Sequence, residues 1–505
     1  MRLSLIGLLA MLLSPSLFWA QPKYEFRGVW IATVANIDWP RGGVTDPAQQ
    51  RADFIAILDQ HQRNGMNAMI VQVRPAADAF YPSSYEPWSE FLTGQQGKPP
   101  SPYWDPMAFM IEETHKRGME FHAWLNPYRA VQTIGKSSIA PAHITKIHPE
   151  WFLTYGDKKY FDPGNTEAQR FVVQVVRDIV ERYSVDAIHM DDYFYPYRIA
   201  GKEFPDAASY ARSKSSLNKD DWRRSNVDSI IVAISKAIKA VNKDVRFGIS
   251  PFSVWRNKDK DERGSDSRAG QTNYDDLYAD ILLWLEKGWI DYVTPQLYLE
   301  IGHDKIAYEK LLDWWSRHAY GKHIYIGHGI YRALDKNQSG WKNPGELPKQ
   351  IQLLRGYPQV QGSVYFSSKS FATNPNGWND SLRTNYYRYP ALLPPMPWMV
   401  GKAPMAPSVS IVSRKAETIR FTVQPSKENR TAIKYYVLYR FPAGRSLASL
   451  SNSSEFIHAI VVKPQGFDQE VSLREGAEQF QFYVSSVGKN NLESDLVPIT
   501  MLVKD

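Results

Sequence analysis

An α/β chain is predicted, a (β/α)8 TIM barrel followed by a small all-β, fibronectin type III-like sandwich. Three observations carry this. Eight β-type apolar runs alternate with helical patterns, polar and aromatic residues crowd the C-terminal ends of those runs, and a Pro-rich stretch precedes a final region of short alternating strands. The eight runs are Gly28 to Val34, Ala68 to Arg74, Glu120 to Asn126, Asp186 to Asp191, Arg246 to Phe252, Ile290 to Tyr298, His323 to Tyr331 and Gln361 to Ser368. Helical stretches lie between them, such as Pro47 to Asn64 closed by Gly65, Thr166 to Tyr183, Asp220 to Val241, and Tyr274 to Lys287 closed by Gly288. Eight units close a barrel, whereas an open doubly wound sheet usually has fewer.

Four regions follow. Residues 1–20 carry Arg2, an apolar run from Leu3 to Leu13, then Ser14 and Pro15 before Leu17-Phe18-Trp19-Ala20, the layout of a secretory signal cleaved after Ala20. The run falls short of the ~20 apolar residues of a spanning helix, so an exported, periplasmic or extracellular protein is expected, without stable membrane insertion after cleavage. Residues 21–392 form the barrel, 393–406 a Pro-rich linker, and 407–505 the sandwich, with runs such as Thr418 to Val423, Tyr435 to Arg440, Phe456 to Val462 and Phe480 to Val487. Long segments after the third, fourth and fifth strands have enough chain to wall a groove.

Composition narrows the chemistry. The chain has no Cys, which excludes disulfides, thiolate metal sites and a Cys nucleophile. Its 60 Lys and Arg against 53 Asp and Glu give +7, but the charges are interspersed, so a solvated basic surface is expected rather than a nucleic-acid site. The 16 Trp and 29 Tyr exceed what a core needs, and such flat faces stack on sugar rings, so a polysaccharide is the expected partner.

The sharpest local signal is the run from Val185 to Pro196, where Asp191 and Asp192 sit at the tip of the fourth strand. Alternation puts His189 and Asp191 on the inward face and Ile188 and Met190 toward the helices. Asp191 is therefore the expected reacting carboxylate, with Asp192 beside it. Glycoside hydrolysis usually needs a second carboxyl about 5–9.5 Å away. Glu300, of the same parity as Gln296 and Tyr298 after the sixth strand, leads; Asp162 and Asp38 compete. Glu25 precedes the first strand and belongs to the opposite face. Asn36, Arg74, Asn126, Arg129 and Gln296 are candidates for positioning a ligand. Trp39, Tyr128, Tyr193, Trp255 and Tyr298 are candidate stacking platforms. His122, His189 and His328 lie in strands and could join Asp191 on a metal, but no His-x-His or His-Glu-x-x-His spacing occurs, so neither metal nor cofactor is expected. No Gly-x-Ser-x-Gly elbow marks a Ser nucleophile.

Several blocks in order carry a family resemblance. Phe26 to Thr33 with Asn36 and Asp38 to Pro40, Val71 to Pro75, Trp124 to Arg129, Asp162 to Gly164, Ile188 to Pro196, and Asp291 to Tyr298 resemble the glycosyl-hydrolase-like 10 family, from about Tyr24 to Tyr389. The resemblance implies a barrel related to the α-galactosidase and chitinase groups, secretion, and hydrolysis of bacterial cell-wall (peptidoglycan) glycan. By analogy with those barrels, a carboxylate ending the fourth strand is the catalytic position, which Asp191 fits. The chitinase-like pattern has a Glu two residues further on, where this chain has Tyr193, and this counts against substrate-assisted chitinase chemistry. Two readings of different class remain open: a glycoside hydrolase, or a non-catalytic glycan-binding barrel.

Overall fold

The computed structural model describes residues 21–335, 340–399, 401–429, 432–443, 447, 452–476 and 478–499. The expected signal segment, 1–20, lies outside them. Eight parallel strands close a barrel in chain order: β1 (Phe26–Ile31), β2 (Ala68–Arg74), β3 (Glu120–Leu125), β4 (Ala187–Asp191), β5 (Arg246–Ser250), β6 (Tyr292–Val293), β7 (His323–His328) and β8 (Val360–Tyr365), with β8 pairing back onto β1. Most helices of the outer layer are capped as their sequences dictate. In α1 (Pro47–Arg63) the Asp46 carboxylate accepts from the Gln49 N–H, Pro47 opens the first turn, and Gly65 leaves it at φ +77°. Asn165 and Asn218 cap α2 (Thr166–Arg182) and α3 (Lys219–Val241) in the same way.

Strand alternation sorts the barrel into two cores. Ile188, Met190, Phe247 and Ile249 pack outward with Val172, Val176, Ile230 and Ile234 of the helices. Phe26, Trp30, Ala68, Ile70, Trp124, Ala187, Tyr292 and Tyr325 point inward and form a separate cluster on the axis. After β3 the chain makes a small antiparallel sheet, Arg129–Val131, Lys158–Phe161 and Phe152–Tyr155, which flanks the C-terminal rim.

Three expectations change. The helix expected over 274–287 is two pieces, Asn273–Asp276 and Ile281–Glu286, because Tyr278 adopts φ +53° between them and Asp280 caps the second. The sixth and seventh strands are shorter than the apolar runs. After Val293 only Gln296 bridges to Phe252 and Gly327, and residues beyond His328 turn into a short 3-10 helix, Ile330–Leu334. The stretch 393–406 does not run free as a linker: Leu393 and Met396 are buried against the inward cluster at the base of the barrel, and the Trp398 indole donates to Asp291 at 3.1 Å.

Two antiparallel sheets follow. One is β9 (Ser408–Arg414), β10 (Thr418–Gln424) and β13 (Phe467–Ser472); the other is built on β11 (Ile433–Pro442), β12 (Ile457–Val461) and β14 (Glu478–Gly488). Tyr436 and Leu438 of β11 meet Phe421 and Val423 of the facing sheet, while Tyr435, Val437 and Tyr439 cluster with Leu392. Strand β11 is buried on both faces from Tyr435 to Tyr439, which is why that stretch is continuously apolar rather than alternating. The sheets lie under the barrel base. Lys434 Nζ and Asn491 Nδ2 reach Glu120 Oε1 at 2.9 and 3.0 Å, and Arg246 joins the same oxygen at 2.8 Å. Glu25 is buried at this end as well, paired with Arg27 and Arg355 at 2.8 and 2.7 Å.

Removing one member of a buried ion cluster leaves the others uncompensated, so Glu120→Ala should lower stability by about 3–5 kcal/mol. Denaturant unfolding measures it. An unchanged midpoint would mean that Arg246 and Lys434 find solvent at the barrel base.

Candidate functional site

A cavity of about 550 Å³ opens at the C-terminal end of the barrel strands. Trp30, Trp124 and Asp191 come from strand ends β1, β3 and β4; Arg129, Tyr193, Tyr197, Gln296, Tyr298, Tyr331, Arg332 and Phe366 come from the loops that follow. Asp191 is the one carboxylate among the described residues that line it. Its side chain is held from three sides. The Trp124 indole donates to Oδ2 at 3.2 Å, the Asn126 amide donates to Oδ2 at 3.0 Å and Oδ1 at 3.2 Å, and the Tyr193 N–H approaches Oδ1 at 3.4 Å. Asn126 is itself fixed, because its Oδ1 accepts from the Arg129 N–H at 2.8 Å.

Asp192 lies directly behind. Its Oδ2 accepts from the Tyr197 hydroxyl at 2.8 Å, and its Oδ1 is buried without a partner. Burial pushes the Asp191 carboxyl up to about 6, although Arg129, Trp124 and Asn126 all favour its ionised form. Burial and then the neighbouring Asp191 charge push Asp192 up to about 7. The Asp191 charge disfavours ionisation of Asp192, so Asp192 keeps its proton to higher pH than its neighbour.

Other buried polar atoms of the cavity lining also lack partners: Gln72 Nε2, Gln132 Oε1 and Arg332 Nε. Buried polar groups in a folded chain are normally bonded, so these three side chains of the lining each leave one hydrogen-bonding atom unused. Neither Arg129 nor Arg332 has a carboxylate within ion-pair distance among the described residues.

The structure brings Asp191, Asn126, Arg129, Tyr193, Gln296 and Tyr298 together, with Asp192 immediately behind, and places the other expected residues elsewhere. Glu300 is not part of the lining. With β6 ending at Val293, the strand parity that linked Glu300 to Gln296 and Tyr298 is lost in the turns at Leu297 and Tyr298, and its carboxylate faces Gly340. Arg74 is engaged by a bidentate ion pair with buried Glu86 and by the carbonyl of Pro127. Asp38 ties the first loop to the last, accepting from the Ala32 N–H, the Ser367 hydroxyl and the Lys369 N–H at 2.6–2.7 Å. Asp162 is a turn acceptor for Ser209 and the Gly164 N–H. Asn36 bonds the carbonyls of Pro40 and Phe91. Trp39, Tyr128 and Trp255 are core: the first and last donate to the Gln50 carbonyl and the Asp280 carboxylate, and Tyr128 packs on Phe161 and Phe194. His189 lies beneath the floor, and His328 bonds Gln350 and Ser363. Sequence reasoning passed over Trp30, Trp124, Tyr197 and Arg332. The parity that selected Asn126 also selects Trp124, and the same alternation turns Trp30 inward, whereas Arg332 sits in a loop that carries no periodic signal.

Comparison with known proteins agrees with the sequence. The model of the family described as glycosyl hydrolase-like 10 matches residues 25–343. The protein called glycosyl hydrolase YngK, from Bacillus subtilis (strain 168), is 43% identical over 485 residues, 94% of this chain and 93% of the relative. Glycosyl hydrolase DigH from Escherichia coli (strain K12) is 36% identical over 370 residues, 68% of this chain and 83% of its own. Among solved structures, the glycoside hydrolase domain of PgaB (BpsB) from Bordetella bronchiseptica aligns with a TM-score of 0.45 and 12% identity, covering 71% of this chain and 98% of that one.

A carboxyl whose folded pKa is raised stabilises the fold while protonated and loses that contribution as pH rises through the folded value. Asp192→Asn, which cannot ionise, should therefore melt higher than the parent above pH 7, by on the order of 2–4 °C, and the gap should narrow as pH falls below 7 and close near pH 4, where the unfolded chain's aspartate is protonated too. Melting curves across that range check it; a gap that grew on acidification would contradict the buried, protonated Asp192.

Proposed function

Because this chain belongs to the glycosyl hydrolase-like 10 family, we propose that it is an exported enzyme that hydrolyses glycosidic bonds in the glycan of bacterial peptidoglycan, with Asp191 and Asp192 as its acid/base pair. One observation carries the catalytic assignment: Asp191 is cradled by Trp124 and Asn126 in an aromatic-walled cavity, with a second carboxyl poised at a higher pKa directly behind it. Asp191, with donors on both oxygens, suits the ionised role of nucleophile or base. Asp192 suits the proton-holding role, and Tyr197, which bonds it and lines the cavity, connects it to the substrate space. Trp30, Tyr193 and Tyr298 offer faces to sugar rings.

The choice of substrate rests on the family and on charge. Of the residues the sequence offered for positioning a ligand, Arg74 and Asn126 are engaged within the protein. Arg129 and Arg332, cationic and without a carboxylate partner among the described residues, are better placed to meet the carboxylate that distinguishes a peptidoglycan strand from chitin or cellulose. Export is supported by the N-terminal apolar segment, and no helix among the described residues is long and apolar enough to cross a membrane.

A second reading is favoured by one fact: Asp191 stands alone as a carboxylate on the described cavity lining, as a glycan-binding barrel that had lost its partner group would present it. Incubation with peptide-free peptidoglycan strands, intact sacculi, chitin oligosaccharides and cellulose separates the two. The enzyme should release new reducing ends from the peptide-free strands, and Asp191→Asn should reduce that release by about 10²–10⁴-fold while melting normally. Binding without release would establish the second reading, and release from cellulose alone would overturn the substrate.

A further inference from the structure

Beneath the cavity floor a line of hydrogen bonds runs along the barrel axis to the base. The Trp30 indole Nε1 lies 3.2 Å from His189 Nε2, His189 Nδ1 lies 3.0 Å from the Tyr292 hydroxyl, that hydroxyl lies 2.9 Å from His122 Nδ1, and His122 Nε2 lies 3.0 Å from Glu120 Oε2. All five side chains are buried.

The chemistry of the two ends fixes the direction of every bond. An indole N–H only donates, so His189 Nε2 is an acceptor and the ring's proton sits on Nδ1. Nδ1 then donates to the Tyr292 oxygen, whose hydroxyl has only His122 Nδ1 left to donate to. His122 consequently carries its proton on Nε2 and gives it to Glu120. That end is an acceptor because, against its burial, Arg246 and Lys434 hold the Glu120 carboxyl well below the usual carboxylate range. Burial likewise drives the His189 imidazole far below its ordinary value, so it remains neutral and one of its nitrogens stays free to accept. Tyr292 is seated at the centre of the line by Gly248, where any Cβ would collide with its ring.

We propose that Tyr292, which does not reach the cavity, is a positioning residue for the glycan site: its hydroxyl holds His189 in the tautomer whose Nε2 anchors the Trp30 indole at the cavity floor. Trp30 in turn meets Tyr298 and Phe366 edge-on, at ring-centre distances of 6.4 and 6.1 Å, so the seat of one indole sets the shape of the aromatic wall. Ser250, which lines the cavity, lies 3.1 Å from the same His189 nitrogen. The inference rests on reading that cavity as the glycan site.

Tyr325 supplies the control. It is a second buried tyrosine of the inward cluster, and its hydroxyl bonds His323 at 2.9 Å, off the line. In the wild-type protein with 15N-labelled histidine, His189 should show a protonated Nδ1 and an unprotonated Nε2, and His122 the reverse. Tyr292→Phe should shift the Trp30 indole N–H resonance and raise KM for peptide-free strands about tenfold with kcat within about threefold, whereas Tyr325→Phe moves neither. A proton on His189 Nε2 in the wild type overturns the inference without any variant, so a Tyr292→Phe chain that failed to fold would leave it testable. A Trp30 resonance unmoved in Tyr292→Phe, or equally moved in Tyr325→Phe, also overturns it. If the wild type neither bound nor cleaved any glycan, the proposed function would fall, and the tautomers and the Trp30 resonance would still decide the role of Tyr292.

Discussion

A closed barrel buries every side chain its strands turn inward, and each buried polar group must find a partner there or remain a liability of about 1–3 kcal/mol. That constraint organises the axis of this molecule. At the base, Glu120 is matched by Arg246, Lys434 and Asn491, so the antiparallel sheets of the C-terminal region help to neutralise a charge inside the barrel. Above it, His122, Tyr292 and His189 complete one another's bonds. At the C-terminal rim, Asp192 Oδ1, Gln72 Nε2, Gln132 Oε1 and Arg332 Nε are among the buried polar atoms left without a partner among the described residues.

The two ends of the axis treat carboxylates in opposite ways, and the difference is the presence of cations. Glu120 is as buried as Asp191, yet direct contact with an Arg and a Lys keeps it ionised. Asp191 has only neutral donors in contact and Arg129 at longer range, so burial prevails and its affinity for a proton rises. Asp192 feels the same burial together with the charge of its neighbour and rises further. The carboxylates at the two ends of the axis are thus separated by what surrounds them rather than by depth.

The barrel was legible in the sequence because its signals are local: eight apolar runs, Asp and Asn caps, and glycines that stop helices. Asp191 was legible because alternation along an unbroken strand carries from Ile188 and Met190 to the tip. The same reasoning failed at Glu300, where β6 ends at Val293 and parity has no meaning beyond the turn. It failed at Arg74 too, whose partner Glu86 lies in an irregular loop and meets it only in the folded chain. Trp39, Tyr128 and Trp255 look like sugar platforms by type, but which face of a loop aromatic is covered depends on packing that composition does not encode. The Pro-rich stretch after Tyr389 resembled a tether, and Leu393 and Met396 within it are the stopper of the barrel base.

Burial raises both Asp191 and Asp192, and the charge of Asp191 raises Asp192 further. Carboxyl 13C shifts of the two residues, followed from pH 3 to 9 in the free protein, test it most directly. A transition near 6 at Asp191 and one near 7 at Asp192 are expected. Two independent transitions close to 4, the value of a solvated aspartate, would contradict it.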